Sequence, residues 1–216
     1  MHDAAARESL IGVAVAIATR EEAVIRAALR RAVRHADRGA VDEVILQSHL
    51  FVGFPDALNA LQAWREIGGT SPARPDPEEE PVLWERRGAE VCAAVYGGNY
   101  AKLRENVSAL HPDLDRWMVV GGYGRVIGRG GLDLATRELC IAALLAVWGV
   151  PRQLHSHLRG ALNAGASVAE VDHAVQIACT LLDPLRAEGV RALWGEVRSR
   201  HEGAQPPERR REYQEN

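Results

Sequence analysis

The stretch from Leu134 to Trp148, LATRELCIAALLAVW, most constrains what this chain can become, because it is apolar on nearly every side of a helical wheel. A helix of that kind has no solvent face and must be enclosed by other elements. The remainder of the chain supplies suitable neighbours. Ala, Leu, Arg and Glu dominate it, and the period-two alternation of β-branched residues that marks strands is nearly absent. The expected fold class is therefore all-α, a tandem-repeat helical bundle. With 216 residues and 47% hydrophobic content, the chain can bury one substantial core or two packed repeats.

Breaks in the pattern divide the chain. Segment 68–81, GGTSPARPDPEEEP, is rich in Gly, Pro and acid and reads as a linker. Segment 121–133, GGYGRVIGRGGLD, reads as a flexible glycine connection, and the polar, Pro-broken end 201–216 as a disordered tail. It follows that 1–67 forms a first helical unit and 82–200 a second, complete one. The first apolar run spans only about ten residues and is flanked by acid as well as base, so it reads as a core helix rather than a membrane span or signal.

The two units share an order. Residues 7–33 align with 137–162, with a one-residue gap after an opening Arg-Glu, and 41–67 align with 170–196, matching Gln47 with Gln176 and Pro55 with Pro184. This predicts a duplicated three-helix unit. Glu8 stands in the place of Glu138, but Ala28 stands where the second copy has His157, so chemistry is expected in the second copy alone, with the first as its packing mate.

Glu138 shares one face of its helix with Leu134, Ile141, Ala142 and Leu145. Two readings stand: a carboxylate aimed into packed surroundings, or a first-turn glutamate set against the helix dipole. In the following helix, PRQLHSHLRGALNAG, His157 lies on the inward stripe with Leu154, Leu158 and Ala161, while His155 and Arg159 share another side. His157 and Glu138 are thus the candidate catalytic pair. The alternative is a core histidine bonded for structure. Asn163 to Gly165 should cap this helix.

These residues carry a resemblance. TRELCIAALLAVWG followed by HSHLRGALNAGASVAEV resembles the carboxymuconolactone decarboxylase and alkylhydroperoxidase-D superfamily, well over 137–196 and more weakly over 7–67. In that superfamily's peroxidase branch a Cys-x-x-Cys precedes the histidine. The corresponding positions here are Val150 and Gln153, so peroxidase activity is the less favoured expectation. The decarboxylase branch implies cofactor-free decarboxylation of a carboxylated lactone, or related acid/base chemistry on an enol acid, in a helical homo-oligomer. His157 would be the proton donor, Glu138 its partner, and Arg125, Arg129, Arg159 and Tyr123 would bind an anionic substrate. Tyr123 and Arg125 depart from that branch, which usually has an acidic residue in a tryptophan-containing segment there. The rival expectation is a non-catalytic helical scaffold or binding protein.

Charge and cysteine usage set the remaining expectations. Formal net charge is −3, with pI near 6.2, which offers no basic field for nucleic acid or an anionic membrane. Cys92, Cys140 and Cys179 sit apart among apolar neighbours and read as reduced core thiols of a cytoplasmic protein. The eight histidines show no metal-ligand spacing, and the glycine segment lacks the Gly-Lys-Ser/Thr ending of a phosphate loop. No metal and no cofactor are expected.

Overall fold

The computed structural model describes residues 4–68 and 80–204. Most of the expected linker 68–81 and of the expected tail 201–216 lies outside the described residues. The elements run α1 (Ala4–Thr19), α2 (Glu22–His35), α3 (Arg38–Gly68), α4 (Pro81–Tyr96), α5 (Tyr100–Leu110) and α6 (Pro112–Trp117). A π-helical segment (Met118–Ile127) follows, and then α7 (Leu134–Trp148), α8 (Pro151–Asn163), α9 (Val168–Cys179) and α10 (Pro184–Ala204). No strand occurs among the described residues, and the fold is all-α. Helix α10 continues to Ala204, a few residues into the segment expected as tail.

Helices α1 and α7 cross at the centre, and every residue from Thr136 to Val147 is buried. Each central helix carries its own hairpin partner, α2 for α1 and α8 for α7, while α3 packs on α1 and α9 on α7. Local chemistry sets the helix ends. The Asp133 carboxylate accepts from the Thr136 N–H at 2.8 Å, and Gly149, at φ 88°, ends α7 in the left-handed conformation that lets the chain reverse into α8. At the end of α8, Ala166 N–H donates to the Ala161 carbonyl at 2.9 Å across Gly165, the cap expected there. Ser167 and Glu170 form a reciprocal capping box on α9.

The glycine-rich segment departs from its expectation. It is not a flexible loop up to Ile127 but a π-helical turn packed hard against α4. Its glycines serve contact. A Cβ at Gly124 would collide with the Trp84 carbonyl oxygen, and one at Gly88 would collide with the Val119 carbonyl, so the two backbones meet without side chains between them. Glycine composition signals both flexibility and close approach, and only the packing separates them.

One buried clamp joins the first and second halves. Arg137 is fully buried at the start of α7, and its guanidinium donates to Glu43 Oε2 at 2.9 Å, to Gln47 Oε1 at 3.1 Å, and to the Arg129, Gly130 and Leu132 carbonyls at 3.0 to 3.3 Å. Gln47 returns a bond to the Arg137 carbonyl at 3.3 Å. Burial pulls the Arg137 pKa down, and the hydrogen bond to Glu43 opposes that shift. Removing one member of such a pair leaves a buried charge uncompensated and costs about 3–5 kcal/mol. We expect Glu43→Ala to lower the denaturant midpoint accordingly, and the double replacement Glu43→Leu with Arg137→Met to recover much of the loss. Urea unfolding followed by circular dichroism tests both.

Candidate active site

Glu138 and His157 meet in the interior. Helix α7 presents Glu138 with no exposed surface, and α8, antiparallel after the Gly149 turn, brings the 5% exposed His157 ring against it; His157 Nδ1 lies 2.8 Å from Glu138 Oε2. Of the two readings for Glu138, the inward one is what the structure displays. Gly160 makes the approach possible, because a Cβ there would stand 2.6 Å from Glu138 Oε2 and 2.7 Å from Val95 Cγ1. The second carboxylate oxygen, Oε1, is buried and has no hydrogen-bond partner. A buried acceptor left without a donor costs about 1–3 kcal/mol, so an incoming donor gains most at that point.

The surroundings are polar on one side and aromatic on the other. Phe51, from the first half of the chain, meets the His157 ring edge to face with centroids 5.7 Å apart. On the α4 side, Tyr96 and Tyr123 meet edge to face at 6.0 Å. Burial raises the Tyr96 phenol to about 12, a hydrogen bond with Tyr123 opposing and the negative field of Glu138 adding to the shift. Tyr123 is pushed up well beyond its usual value, again by burial first, then by Tyr96 and Glu138. Both phenols therefore keep their protons at neutral pH and can act as donors. Cys92, in the same cluster, is raised to about 12 by burial, with Arg104 opposing and Glu138 adding.

The expected substrate-binding residues do not converge. Tyr123 belongs to the buried cluster. Arg159 is exposed on α8 and lines a hollow of about 270 Å³ with Tyr96, Lys102, Ser156 and Asn163. Arg125 and Arg129 line a different cleft, of about 560 Å³, between α3 and the π-helical segment, whose walls include neither Glu138 nor His157. His155 is half-buried with its pKa lowered, by burial first and then by the positive charge of Arg159. Sequence reading gave no site role to Phe51, Cys92, Tyr96 or Lys102. The glycine in the middle of α8 was a legible sign of a close approach.

With this geometry in view, comparison with known proteins shows what part of the chain is similar to. Residues 112–193 match the model of the carboxymuconolactone decarboxylase family. The match holds Tyr123, Glu138, His157 and Arg159 and leaves out Phe51, Cys92, Tyr96 and Lys102. A relative named Peroxisomal protein 2, from Schizosaccharomyces pombe, is 31% identical over 144 residues, which cover 63% of this chain and 65% of that protein, under two thirds of its length.

Two expected outcomes follow from the site. Gly160→Ala should displace Glu138 from His157 and destabilise the fold by about 1–3 kcal/mol through overpacking; thermal melting gives the cost, and the histidine ring 15N shifts report the broken contact. Cys140, like Cys92, is raised to about 12 by burial. At pH 8 neither thiol should react with an aromatic disulfide reagent in the folded chain, and both should react in urea. Rapid labelling of both in the native protein would overturn that reading.

Proposed function

We propose that the chain is a cofactor-independent acid/base enzyme that decarboxylates, or transfers a proton within, a small carboxylated lactone or enol acid. The observation that carries this is the buried Glu138–His157 pair with its unpartnered Oε1. Because Nδ1 is engaged by Glu138, Nε2 is the ring nitrogen left for a substrate, and the carboxylate behind the ring fixes its orientation. In the proposed reaction the bond to the substrate carboxylate breaks and carbon dioxide leaves. The electron pair enters the substrate's own carbonyl to give an enolate, and His157 delivers a proton to the enolate carbon. Tyr96 and Tyr123, as neutral phenols, are suited to donate to the enolate oxygen. Arg159 and Lys102, at the mouth of the hollow that Tyr96 lines, are suited to hold the carboxylate. The raised thiols of Cys92 and Cys140, with Val150 and Gln153 at the expected cysteine-pair positions, weigh against peroxide chemistry.

The same reading includes a duplicated helical unit. Its support is that Trp64 Nε1 donates to Asp42 and Trp194 Nε1 donates to Asp172, both at a separation of 22 residues. In addition, Arg7 of the first half bonds Glu170 of the second while Arg137 of the second bonds Glu43 of the first. The match of Gln47 with Gln176 does not extend to their surroundings, since Gln47 is buried and Gln176 exposed.

A non-catalytic helical assembly is the second reading. It is favoured by Leu110 and Leu185, which are 81% and 79% exposed and offer contacts for a homo-oligomer. Among the described residues no helix is long and apolar enough to cross a membrane. We propose a cytoplasmic location on the free thiols of Cys92, Cys140 and Cys179. The S. pombe relative is named as peroxisomal, and fractionation of a tagged full chain distinguishes the two locations.

The test is turnover on a panel of carboxylated lactones and enol acids, followed by carbon dioxide release. His157→Gln should lower kcat about a hundredfold or more with folding retained. Glu138→Gln should give a smaller loss, because it keeps the imidazole and removes only the carboxylate that orients it. If His157→Gln matches the wild type on every substrate that turns over, the assembly reading replaces this one.

A further inference from the structure

The 560 Å³ cleft between α3 and the π-helical segment is separate from the Glu138–His157 centre and has a chemistry of its own. Its volume falls within the range of small-molecule sites, about 300–1,000 Å³. Its walls are largely apolar, and large side chains are left open there: Phe54 is 67% exposed, Leu58 60% and Trp117 60%. Chains expose apolar patches of this kind mainly where something binds. The cleft owes its shape to a local break in α3, where Gly53 at φ 82° followed by Pro55 swings the second half of the helix away from the first. Leu50 and Phe54 therefore lie on either side of a bend instead of along one straight face.

The charges around the cleft are unequal. Asp42 is engaged by Arg65 at 2.7 Å and by the Trp64 indole at 2.9 Å, and Glu43 is shared between Arg129 at 3.3 Å and Arg137 at 2.9 Å. The carboxylates lining the cleft are thus already matched by cations. Arg125 is the exception. Its guanidinium rests over the Trp84 ring, 5.0 Å from the centroid, and among the described residues no carboxylate pairs with it. A guanidinium stacked on an indole is held in place with its N–H edge free, which is the arrangement that receives a carboxylate in the plane of the fork.

We propose that this cleft is a binding site for an amphipathic monocarboxylate, with the apolar chain lying along Leu50, Phe54, Leu58 and Trp117 and the carboxylate on Arg125. The combination selects both ends of the ligand. Apolar walls reject a short hydrophilic acid, and the unpaired cation favours an acid over a neutral chain of equal length. The site does not depend on the proposed reaction, and its test reads binding without turnover.

The probe is decanoate, below its micelle concentration, titrated calorimetrically into the full-length chain, with 1-decanol and acetate as comparisons. Saturable one-to-one binding of decanoate is expected, with no detectable binding of acetate and affinity rising several-fold between octanoate and decanoate. Arg125→Gln should weaken decanoate at least tenfold and leave 1-decanol within about twofold. Leu58→Asp should weaken both, and because both side chains are exposed the variants should fold, as circular dichroism would verify. Equal decanoate affinity in wild type and Arg125→Gln would overturn the proposal by reducing the cleft to an unselective apolar surface. So would the absence of saturable binding. A dimer in light scattering that Leu58→Asp dissociates, without decanoate binding, would overturn it in favour of a second copy of the chain.

Discussion

The buried guanidinium of Arg137 is the interaction on which the rest of the arrangement depends. A cation with no exposed surface at the head of the central helix tolerates few geometries, because each donor has to be met inside the protein. Glu43 and Gln47 meet it from α3, and the Arg129, Gly130 and Leu132 carbonyls meet it from the turn before α7. The first half of the chain, the glycine-rich turn and the central helix are thereby held in one register. Hydrophobic burial between α1 and α7 supplies attraction without direction; the clamp supplies the direction.

That register has chemical consequences one residue further along. With Arg137 held toward α3, Glu138 turns toward α8, where the absent side chain of Gly160 lets its carboxylate reach His157. Phe51, on the same α3 that carries Glu43 and Gln47, closes over the other side of the imidazole. Two adjacent charged residues therefore serve opposite ends: one has a partner at every side-chain nitrogen, while the other keeps an oxygen without a partner. Polar groups left incomplete inside an otherwise well-bonded interior are where a protein retains capacity to act on something else.

A related division runs between the two hollows. Tyr96 links the small hollow of Arg159 and Lys102 to the electrostatic surroundings of Glu138, whereas the larger cleft of Arg125 and Arg129 adjoins the structural carboxylate Glu43. Cationic residues of the same chemical type are assigned to different tasks by which helix lies opposite them. Both tyrosines lie deep enough to remain neutral donors, and the thiols remain protonated for the same reason.

The sequence alone determined the helical class, because an all-round apolar α7 demands helical enclosure and the composition offers no strands. It also determined the inward stripe of α8: His157, Leu154 and Leu158 are set three and four apart by helix geometry, which is local. The pairing of His157 with Glu138 was legible for the same reason, since two helices joined by a tight glycine turn must lie side by side. What depends on contacts between distant segments was not legible. The π-helical packing of Gly124 against Trp84, the clamp of Arg137 by Glu43, the approach of Phe51 and Tyr96 to the central pair, and the separation of Arg125 from Arg159 were decided only by tertiary structure. Each joins residues whose spacing in the chain carries no period, so burial, backbone contact and charge matching settle them only once the helices are in place.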